Sequence, residues 1–301
     1  MKAVQFSEYG DPDVLHVAEV EEPHAGPGQI RIAVRAASVN PIDWKVRSGM
    51  LAEGPLATPT TPGSDVAGVV DEVGEGVDDV AVGDDVFGFA IGGGAAEHTL
   101  LAHYARKPSG LSWEEAAGFP VAVETAARTL DLLGAHEGQT LLITGAAGGV
   151  GTAAVQLARL RGARVIGTAG ERNHDFLRSL GAEPTTYGDG LVERVRELAP
   201  DGVDRALDTA GRGALPDLIE LTGDAGNVVT IADFNAPKLG VRVSSGAGTE
   251  RAYHALADAA RYAQEGRFSL PVERTFSFAD APEAHRVSEA GHVRGKLVLV
   301  P

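Results

Sequence analysis

A glycine-rich turn is the part of the sequence whose residue types and spacing are best suited to chemistry. The apolar run LLIT is followed by GAAGGVG and then by the helix-like run TAAVQLARL. Glycines let a backbone approach a pyrophosphate closely, and the first N–H groups of the following helix attract the anion. A tight bend alone also selects glycines, but a strand before the turn and a helix after it favour binding. We therefore predict a dinucleotide-binding turn made of Ala146, Gly148, Gly149, Val150 and Gly151.

The end of the next predicted strand, RVIGT, indicates which dinucleotide fits. A site that prefers NAD places Asp or Glu there to bind the ribose hydroxyls, but this chain has Ala169 directly after Thr168. Arg172 follows in the same loop and can pair with a 2′-phosphate. Two alternatives stay open, because Glu171 can bind the ribose hydroxyls and Arg172 also suits the solvated start of a helix. We predict NADPH, chiefly because the acidic residue is missing.

The composition excludes several function classes. The chain has 42 Asp and Glu residues against 26 Lys and Arg, a formal net charge of −16 that would repel a nucleic-acid backbone. It has no cysteine, so disulfides and thiolate chemistry are excluded and redox chemistry requires a bound cofactor. We see no signal-peptide pattern and no apolar run long enough to span a bilayer. We expect no nucleic-acid partner, no membrane segment and a cytoplasmic location.

The elements that must position the turn follow two different patterns. Residues 1 to about 103 contain short β-rich runs separated by glycine and proline turns. A helix opens near Ser112-Trp-Glu-Glu115, which has the spacing of a capping box. From Thr140 onward strands alternate with helices, which predicts a doubly wound parallel sheet of the Rossmann type. The predicted fold class is α/β, with this sheet joined to a β-rich domain.

Several segments together resemble the medium-chain dehydrogenase/reductase superfamily, and within it the zeta-crystallin-like quinone oxidoreductases. The segments are SVNPIDWKVRSG, PGSDVAGVVDEVGEGV, AAGGVG, RNHDFLRSLGA and EAHRVSEAGHVRGKLVLV, and they extend over nearly the whole chain. The resemblance implies a GroES-like substrate domain formed by residues 1–120 and 246–301, with a Rossmann domain at 121–245. It also implies a cofactor in the cleft between the domains, and a homodimer.

The resemblance further implies roles for single residues. Asn40 would lie near the nicotinamide and the substrate as the candidate catalytic residue, and Thr125 would lie near the nicotinamide carboxamide. Arg172 and Tyr187 would face the 2′-phosphate, and Lys296 would approach the cofactor from the returning chain end. The other predicted cofactor contacts are the five turn residues together with Thr168 and Ala169.

The sequence departs from the zinc-dependent members of this superfamily at their ligand positions. Those members use a cysteine two residues before an aspartate, and a His-Glu pair after a glycine. Here Pro41 precedes Asp43, and Ser64 and Asp65 follow Gly63. A catalytic zinc needs about three converging ligands, so we expect no metal. Asp43 is then either a site residue or a local cap for backbone N–H groups, and we favour the cap.

The predicted chemistry follows from the missing metal. Without a Lewis acid, ordinary alcohol dehydrogenation is disfavoured. A quinone or an α,β-unsaturated carbonyl delocalises the charge of an incoming hydride, so the protein needs mainly to orient the cofactor and supply hydrogen bonds. We predict a zinc-independent NADPH:quinone oxidoreductase, with protonation from water. The alternatives are an NADPH-dependent enone or 2-enoyl reductase, and a low-turnover NADPH-binding sensor or structural protein.

Overall fold

The computed structural model describes residues 1–52, 54–56, 58–246 and 251–301. The chain forms two compact units, one made of Met1–Val121 with Tyr253–Pro301 and the other of Ala122–Ala252. The unit changes therefore follow Val121 and Ala252, whereas the sequence analysis placed them after residues 120 and 245. Strand residues 242 and 243 belong to the sheet of the second unit and lie inside the predicted range.

The first unit is organised around a six-stranded sheet in the order β13-β14-β3-β4-β5-β6. β3 also pairs with β6, so the sheet closes on itself. All of these neighbours are antiparallel except β13 and β14. The strands are β3 (Ile30–Val39), β4 (Asp65–Val73), β5 (Asp85–Ile91), β6 (His98–Arg106), β13 (Val272–Ser277) and β14 (Lys296–Val300), and β1 (Lys2–Gln5) pairs separately with β2 (His16–Glu19).

Alternation of apolar residues explains how β3 folds into this sheet. Its first half buries every second side chain, Ile30, Ile32 and Val34, which is the period expected when one face covers a core. Its second half is buried on both faces and ends beside Asn40. The helices of this unit are α1 (Pro41–Arg47), α2 (Trp113–Ala117), α8 (Ala255–Gln264) and α9 (Ala281–Ala290).

The second unit is a parallel six-stranded sheet in the order β12-β11-β10-β7-β8-β9. The order reverses beside β7, and ligands of doubly wound sheets bind at such switch points, outside the carboxyl ends of the strands. The predicted fold class is confirmed. The strands are β7 (Thr140–Thr144), β8 (Arg164–Thr168), β9 (Glu183–Thr185), β10 (Arg205–Asp208), β11 (Val228–Thr230) and β12 (Arg242–Val243).

Helices flank this sheet because its strands are apolar on both faces. In β7 the side chains of Leu141, Leu142 and Ile143 are all fully buried, as expected for a parallel strand between two helical layers. The helices are α3 (Phe119–Leu132), α4 (Gly149–Leu160), α5 (His174–Ser179), α6 (Leu191–Leu198) and α7 (Leu215–Thr222). Within the described parts of the chain, no helix has both the length and the apolar character needed to cross a bilayer.

Candidate cofactor and acceptor sites

The glycine turn joins the end of β7 to the start of α4, at the switch point of the sheet. Gly145 adopts a left-handed φ of +66°, and α4 begins at Gly149 with Gly148 as its N-cap. A Cβ on Gly151 would come within 2.2 Å of the Gly145 carbonyl oxygen, so only glycine permits this close packing. The N–H groups of the first turn of α4 have no acceptor within the helix and are suited to bind an anion.

The turn is fixed against the end of β8, where the adenosine side of a dinucleotide would bind. The N–H of Ala146 donates to the carbonyl oxygen of Thr168 at 3.0 Å, and the N–H of Ala169 donates to Thr185 at 3.0 Å. The buried Thr168 hydroxyl has no hydrogen-bond partner among the described residues. The glycine cradle and this hydroxyl fit a dinucleotide, and the contacts of Thr168 and Ala169 with it stay predictions.

The residues predicted to face a 2′-phosphate follow neighbouring strands of the same sheet. Arg172 lies in a single helical turn, Glu171–Asn173, that follows β8 and is exposed. Tyr187 follows β9 and is 57% exposed. Because the carboxyl ends of parallel strands meet at one edge, both residues belong to the edge that carries the glycine turn.

Thr125 lies on α3 in a buried charged network that the sequence analysis did not find. The Arg128 guanidinium donates to the Thr125 hydroxyl at 3.3 Å and to Glu124 at 2.8 Å. Glu124 is fully buried and also accepts the N–H of Ala252 at 3.0 Å and the guanidinium of Arg251 at 3.2 Å. The network connects α3 to the end of the second unit and restricts the rotamer of Thr125.

Asp208 is the centre of a second buried hydrogen-bond network that the sequence analysis missed. Its Oδ1 accepts the Thr144 hydroxyl at 2.6 Å and the N–H groups of Ala210 and Gly211 at 3.1 Å, while Oδ2 accepts the Thr230 hydroxyl at 2.7 Å. This carboxylate therefore joins the ends of β7, β10 and β11. The sequence signal for this network was a threonine at the end of LLIT and another at the end of VVT. The two threonines indicate a shared partner only once the strand order is known.

A polar cluster in the first unit contains the candidate catalytic residue Asn40. Asp65 Oδ2 accepts the Asn40 amide at 2.9 Å, the Ser38 hydroxyl at 2.8 Å and the Lys296 ammonium at 3.2 Å. Lys296 Nζ also donates to Asn40 Oδ1 at 2.6 Å. Asp65 Oδ1 accepts the N–H of Val121 at 2.8 Å. Asn40, Asp65 and Lys296 are between 0% and 4% exposed, so these are strong interactions in a region of low dielectric.

Asp43 belongs to the same buried region as the cap of α1. Its Oδ2 accepts the Asn40 N–H at 2.7 Å, which completes a capping box and confirms the interpretation as a cap. Its pKa is raised to about 7, mainly by burial and in smaller part by the charge of Asp65, while backbone hydrogen bonds and Lys296 oppose the shift. Asp43 is thus a carboxyl group that titrates near neutral pH.

The residues at the zinc-ligand positions do not fit a zinc ion. Both oxygens of Asp65 already accept hydrogen bonds, and the Lys296 ammonium 3.2 Å away would repel a cation. Asp43 caps a helix, and Pro41 offers no side-chain donor atom. Across the described ranges, no three His, Cys, Asp or Glu side chains are arranged to hold a metal. The Lys296 ammonium binds Asn40 and Asp65. Its predicted contact with the cofactor stays a prediction.

Two family models match the chain. The alcohol dehydrogenase GroES-like domain matches residues 26–124, and the model described as zinc-binding dehydrogenase matches residues 180–299. The NADPH-dependent alkenal/one oxidoreductase of Arabidopsis thaliana is 32% identical over 100% of this chain and 80% of its own length. The quinone oxidoreductase of Rattus norvegicus is 35% identical over 77% of this chain and 73% of its own length.

A solved structure supports the same assignment. A mycobacterial protein complexed with NADPH matches with a TM-score of 0.84 and 27% identity, over 100% of both chains. The order of elements, the glycine turn at the switch point and the two family models all agree with these likenesses. The chain is therefore an oxidoreductase that belongs to the medium-chain dehydrogenase/reductase family, in the group of the quinone oxidoreductases.

Proposed function

We propose that this chain is an NADPH-dependent reductase that transfers a hydride to a quinone and works without zinc. The observation that carries the proposal is the buried cluster of Asn40, Asp65 and Lys296, in which an ammonium group lies beside a family metal-ligand position. In a zinc-dependent dehydrogenase the metal acts as the Lewis acid that stabilises the alkoxide of alcohol oxidation. An acceptor that delocalises its own charge needs only orientation and hydrogen-bond donors, which this cluster can provide.

The cofactor would be held by the second unit. The N–H groups of the first turn of α4 and the glycine backbone would bind the pyrophosphate, and Arg172 with Tyr187 would bind the 2′-phosphate. Thr125, fixed by Arg128, would bind the nicotinamide carboxamide. The NADPH complex of the mycobacterial relative supports this choice of coenzyme. When bound, NADPH supplies the hydride.

Asn40 would bind the acceptor carbonyl oxygen through its side-chain amide. A donor at this oxygen stabilises the negative charge that develops when the hydride arrives. The reduced acceptor then takes one proton, and water is the proposed source. Some related reductases carry a tyrosine soon after the segment that corresponds to Arg47-Ser48-Gly49, and that tyrosine would be an alternative proton donor. In this chain Met50 follows the segment.

Reduction of α,β-unsaturated carbonyls is the second candidate function. It is favoured by the Arabidopsis thaliana relative, whose name specifies alkenals and alkenones and whose similarity extends over all of this chain. The two activities share hydride transfer to a conjugated carbonyl. They differ in whether the hydride reduces a quinone ring or a carbon–carbon double bond, so product analysis distinguishes them.

A coenzyme oxidation assay tests the proposal. The purified protein is mixed with NADPH or NADH and a panel of quinones, alkenals and alkenones, and the loss of reduced nicotinamide absorbance is recorded. We expect faster oxidation of NADPH than of NADH, with quinones as the better acceptors. Tight NADPH binding with no oxidation by any acceptor would contradict the enzyme proposal and favour the sensor or structural alternative.

Zinc-independence has its own test. Metal analysis of the purified protein is combined with activity before and after prolonged chelation, and after addition of zinc. We expect no stoichiometric zinc and no change of activity on chelation. Loss of activity on chelation that zinc restores would contradict the proposal.

We also propose a homodimer, formed through the β12 edge of the second sheet. β12 is an edge strand of two residues, and the backbone of such an edge can pair with a second chain. Light scattering with size-exclusion chromatography measures the mass directly, and a monomeric mass at working concentrations would contradict the proposed homodimer.

The cytoplasmic location stays a prediction, which cell fractionation would test.

A further inference from the structure

The side-chain amide of Asn40 has only one orientation that suits its two charged neighbours. Its Oδ1 accepts the Lys296 ammonium at 2.6 Å, and its Nδ2 donates to Asp65 Oδ2 at 2.9 Å. An ammonium group can only donate and an ionised carboxylate can only accept. Rotating the amide by half a turn would place its NH₂ group against the ammonium and its oxygen against the carboxylate. The two charges therefore determine which way the amide points.

Strand register brings these three residues together from distant parts of the chain. Ser38 of β3 pairs with Asp65, the first residue of β4, and Val39 pairs with Leu297 of β14. Asn40 follows β3 directly, and Lys296 is the first residue of β14, so both lie at the same end of the sheet as Asp65. Asp65 is held in addition by the Ser38 hydroxyl. The positions of the charges are thus set by backbone pairing rather than by flexible loops.

We infer that Lys296 and Asp65 are positioning residues that hold the Asn40 amide with its oxygen on the ammonium, so that one Nδ2 hydrogen donates to the acceptor's carbonyl oxygen. Nδ2 carries two hydrogens, and the bond to Asp65 uses one of them. The ammonium withdraws electron density from the amide oxygen and makes the remaining N–H a stronger donor. This inference rests on the proposed function, and it assigns Lys296 to the acceptor side rather than to the cofactor.

The first experiment is a double-mutant cycle between Asn40→Ala and Lys296→Met. For each variant, kcat with a quinone and the dissociation constant of NADPH are measured. We expect each single change to lower kcat at least about tenfold, because one oriented donor is lost. The NADPH dissociation constant should stay within about twofold of the original, and the double variant should be no slower than the slower single variant within about twofold.

The second experiment guards against misfolding. Lys296→Met alone leaves a buried carboxylate without its ammonium partner, so Lys296→Met/Asp65→Asn removes both charges and keeps the side-chain volumes similar. The matched control is Asp71→Asn, which makes the same chemical change on the same strand β4 and breaks the ion pair with Arg31. We expect the charge-free pair to fold and to lose kcat, and the control to keep kcat within about twofold.

An NMR measurement tests the orientation of the Asn40 amide independently of enzyme activity. The side-chain amide signals of Asn40 are identified in a nitrogen–proton NMR spectrum by their absence in Asn40→Ala. We expect these signals to shift in Lys296→Met/Asp65→Asn and not in Asp71→Asn.

The possible outcomes separate the two claims. If the unmodified protein reduces no acceptor, the proposed function fails, and the amide signals alone decide whether the charges orient Asn40. If the protein is active, the inference is overturned by unchanged kcat in folded Lys296→Met/Asp65→Asn, or by independent, multiplicative effects of Asn40→Ala and Lys296→Met. A raised NADPH dissociation constant at unchanged kcat would instead return Lys296 to the cofactor.

Discussion

Two opposite charges lie close together where the zinc-dependent members of the superfamily have a metal ligand. At the metal-ligand position, the ammonium of Lys296 and the carboxylate of Asp65 neutralise each other within 3.2 Å. The sequence showed that the zinc ligands were missing, but it did not show what had replaced their charge. Lys296 and Asn40 are 256 positions apart, and only the pairing of β14 with β3 reveals their contact. Sequence reasoning therefore named Lys296 and Asn40 without predicting their contact, and the expected contact of Lys296 with the cofactor stays a prediction.

Arg172 provides the test of coenzyme preference at the residue scale. Arg172→Ala should raise the dissociation constant of NADPH by about 10- to 100-fold, because a charge-assisted hydrogen bond contributes about 1.5–3 kcal/mol. Binding of NADH, which has no 2′-phosphate, should change little. Fluorescence titration of the reduced nicotinamide measures both. Arg178→Ala on the adjacent helix α5 removes an equal charge and serves as the control, and equal weakening of NADH would contradict the assignment.

Asp43 makes stability depend on pH. Its pKa is raised from 3.8 to about 7, so between these values the folded chain holds a proton that the unfolded chain releases. Stability should therefore fall as pH rises through this window, with a contribution approaching about 1.4 kcal/mol per pH unit, and level off above it. Asp43→Asn keeps the cap but does not titrate. The free energy of unfolding of this variant should therefore depend less on pH.

Urea unfolding at several pH values measures this difference. Asp11→Asn changes an exposed cap and is the control for removal of a carboxylate. Identical pH dependence in Asp43→Asn and the unmodified protein would show that Asp43 does not titrate in this window.

Elements whose sequence signals span only a few residues were predicted well. The capping box at Ser112 and Glu115 forms as predicted, with reciprocal hydrogen bonds of 2.9 and 3.1 Å. The strand–turn–helix around the glycine turn is also confirmed. The networks of Asp208 and Glu124 were not predicted, because they join residues as far as 64 and 128 positions apart. Such contacts depend on strand order and helix packing, which local patterns do not specify.

The packing of α4 against the turn gives a prediction for this element. Gly151→Ala would place a methyl group 2.2 Å from the Gly145 carbonyl oxygen, so the helix must shift. We expect a loss of roughly 1–3 kcal/mol in the free energy of unfolding, together with weaker NADPH binding. Gly148→Ala is the matched comparison in the same turn, because its nearest contact is 3.4 Å. Equal melting temperatures for the two variants would contradict this packing argument.

At the scale of the whole molecule, element order was the most informative signal. Strands that alternate with helices predicted a parallel sheet, and the β-rich first segment predicted a separate architecture, and both are confirmed. The order of the parallel strands did not follow from periodicity, because the pattern along one strand does not specify its neighbours in the sheet. The acceptor was not specified either, because quinones and alkenones place the same demand on a hydrogen-bond donor.

Coenzyme binding should stabilise the folded molecule by an amount that grows with the logarithm of the ratio of coenzyme concentration to the dissociation constant. At a hundredfold excess over the dissociation constant, NADPH should add about 2.7 kcal/mol to the free energy of unfolding, and NADH at the same concentration should add less. Thermal melts over a concentration series measure this effect. Zinc chloride is the comparison ligand, and stabilisation by zinc equal to that by NADPH would contradict the absence of a metal site.

The position of Lys296 on the last described strand has a consequence for biosynthesis. A ribosome completes the second unit, residues 122–252, before it synthesises β14. A nascent chain at that stage already contains Asp65 and Asn40, but it lacks the ammonium group that binds both side chains. The hydrogen bond from Lys296 to Asn40 and the ion pair with Asp65 can therefore form only after β14 has been synthesised.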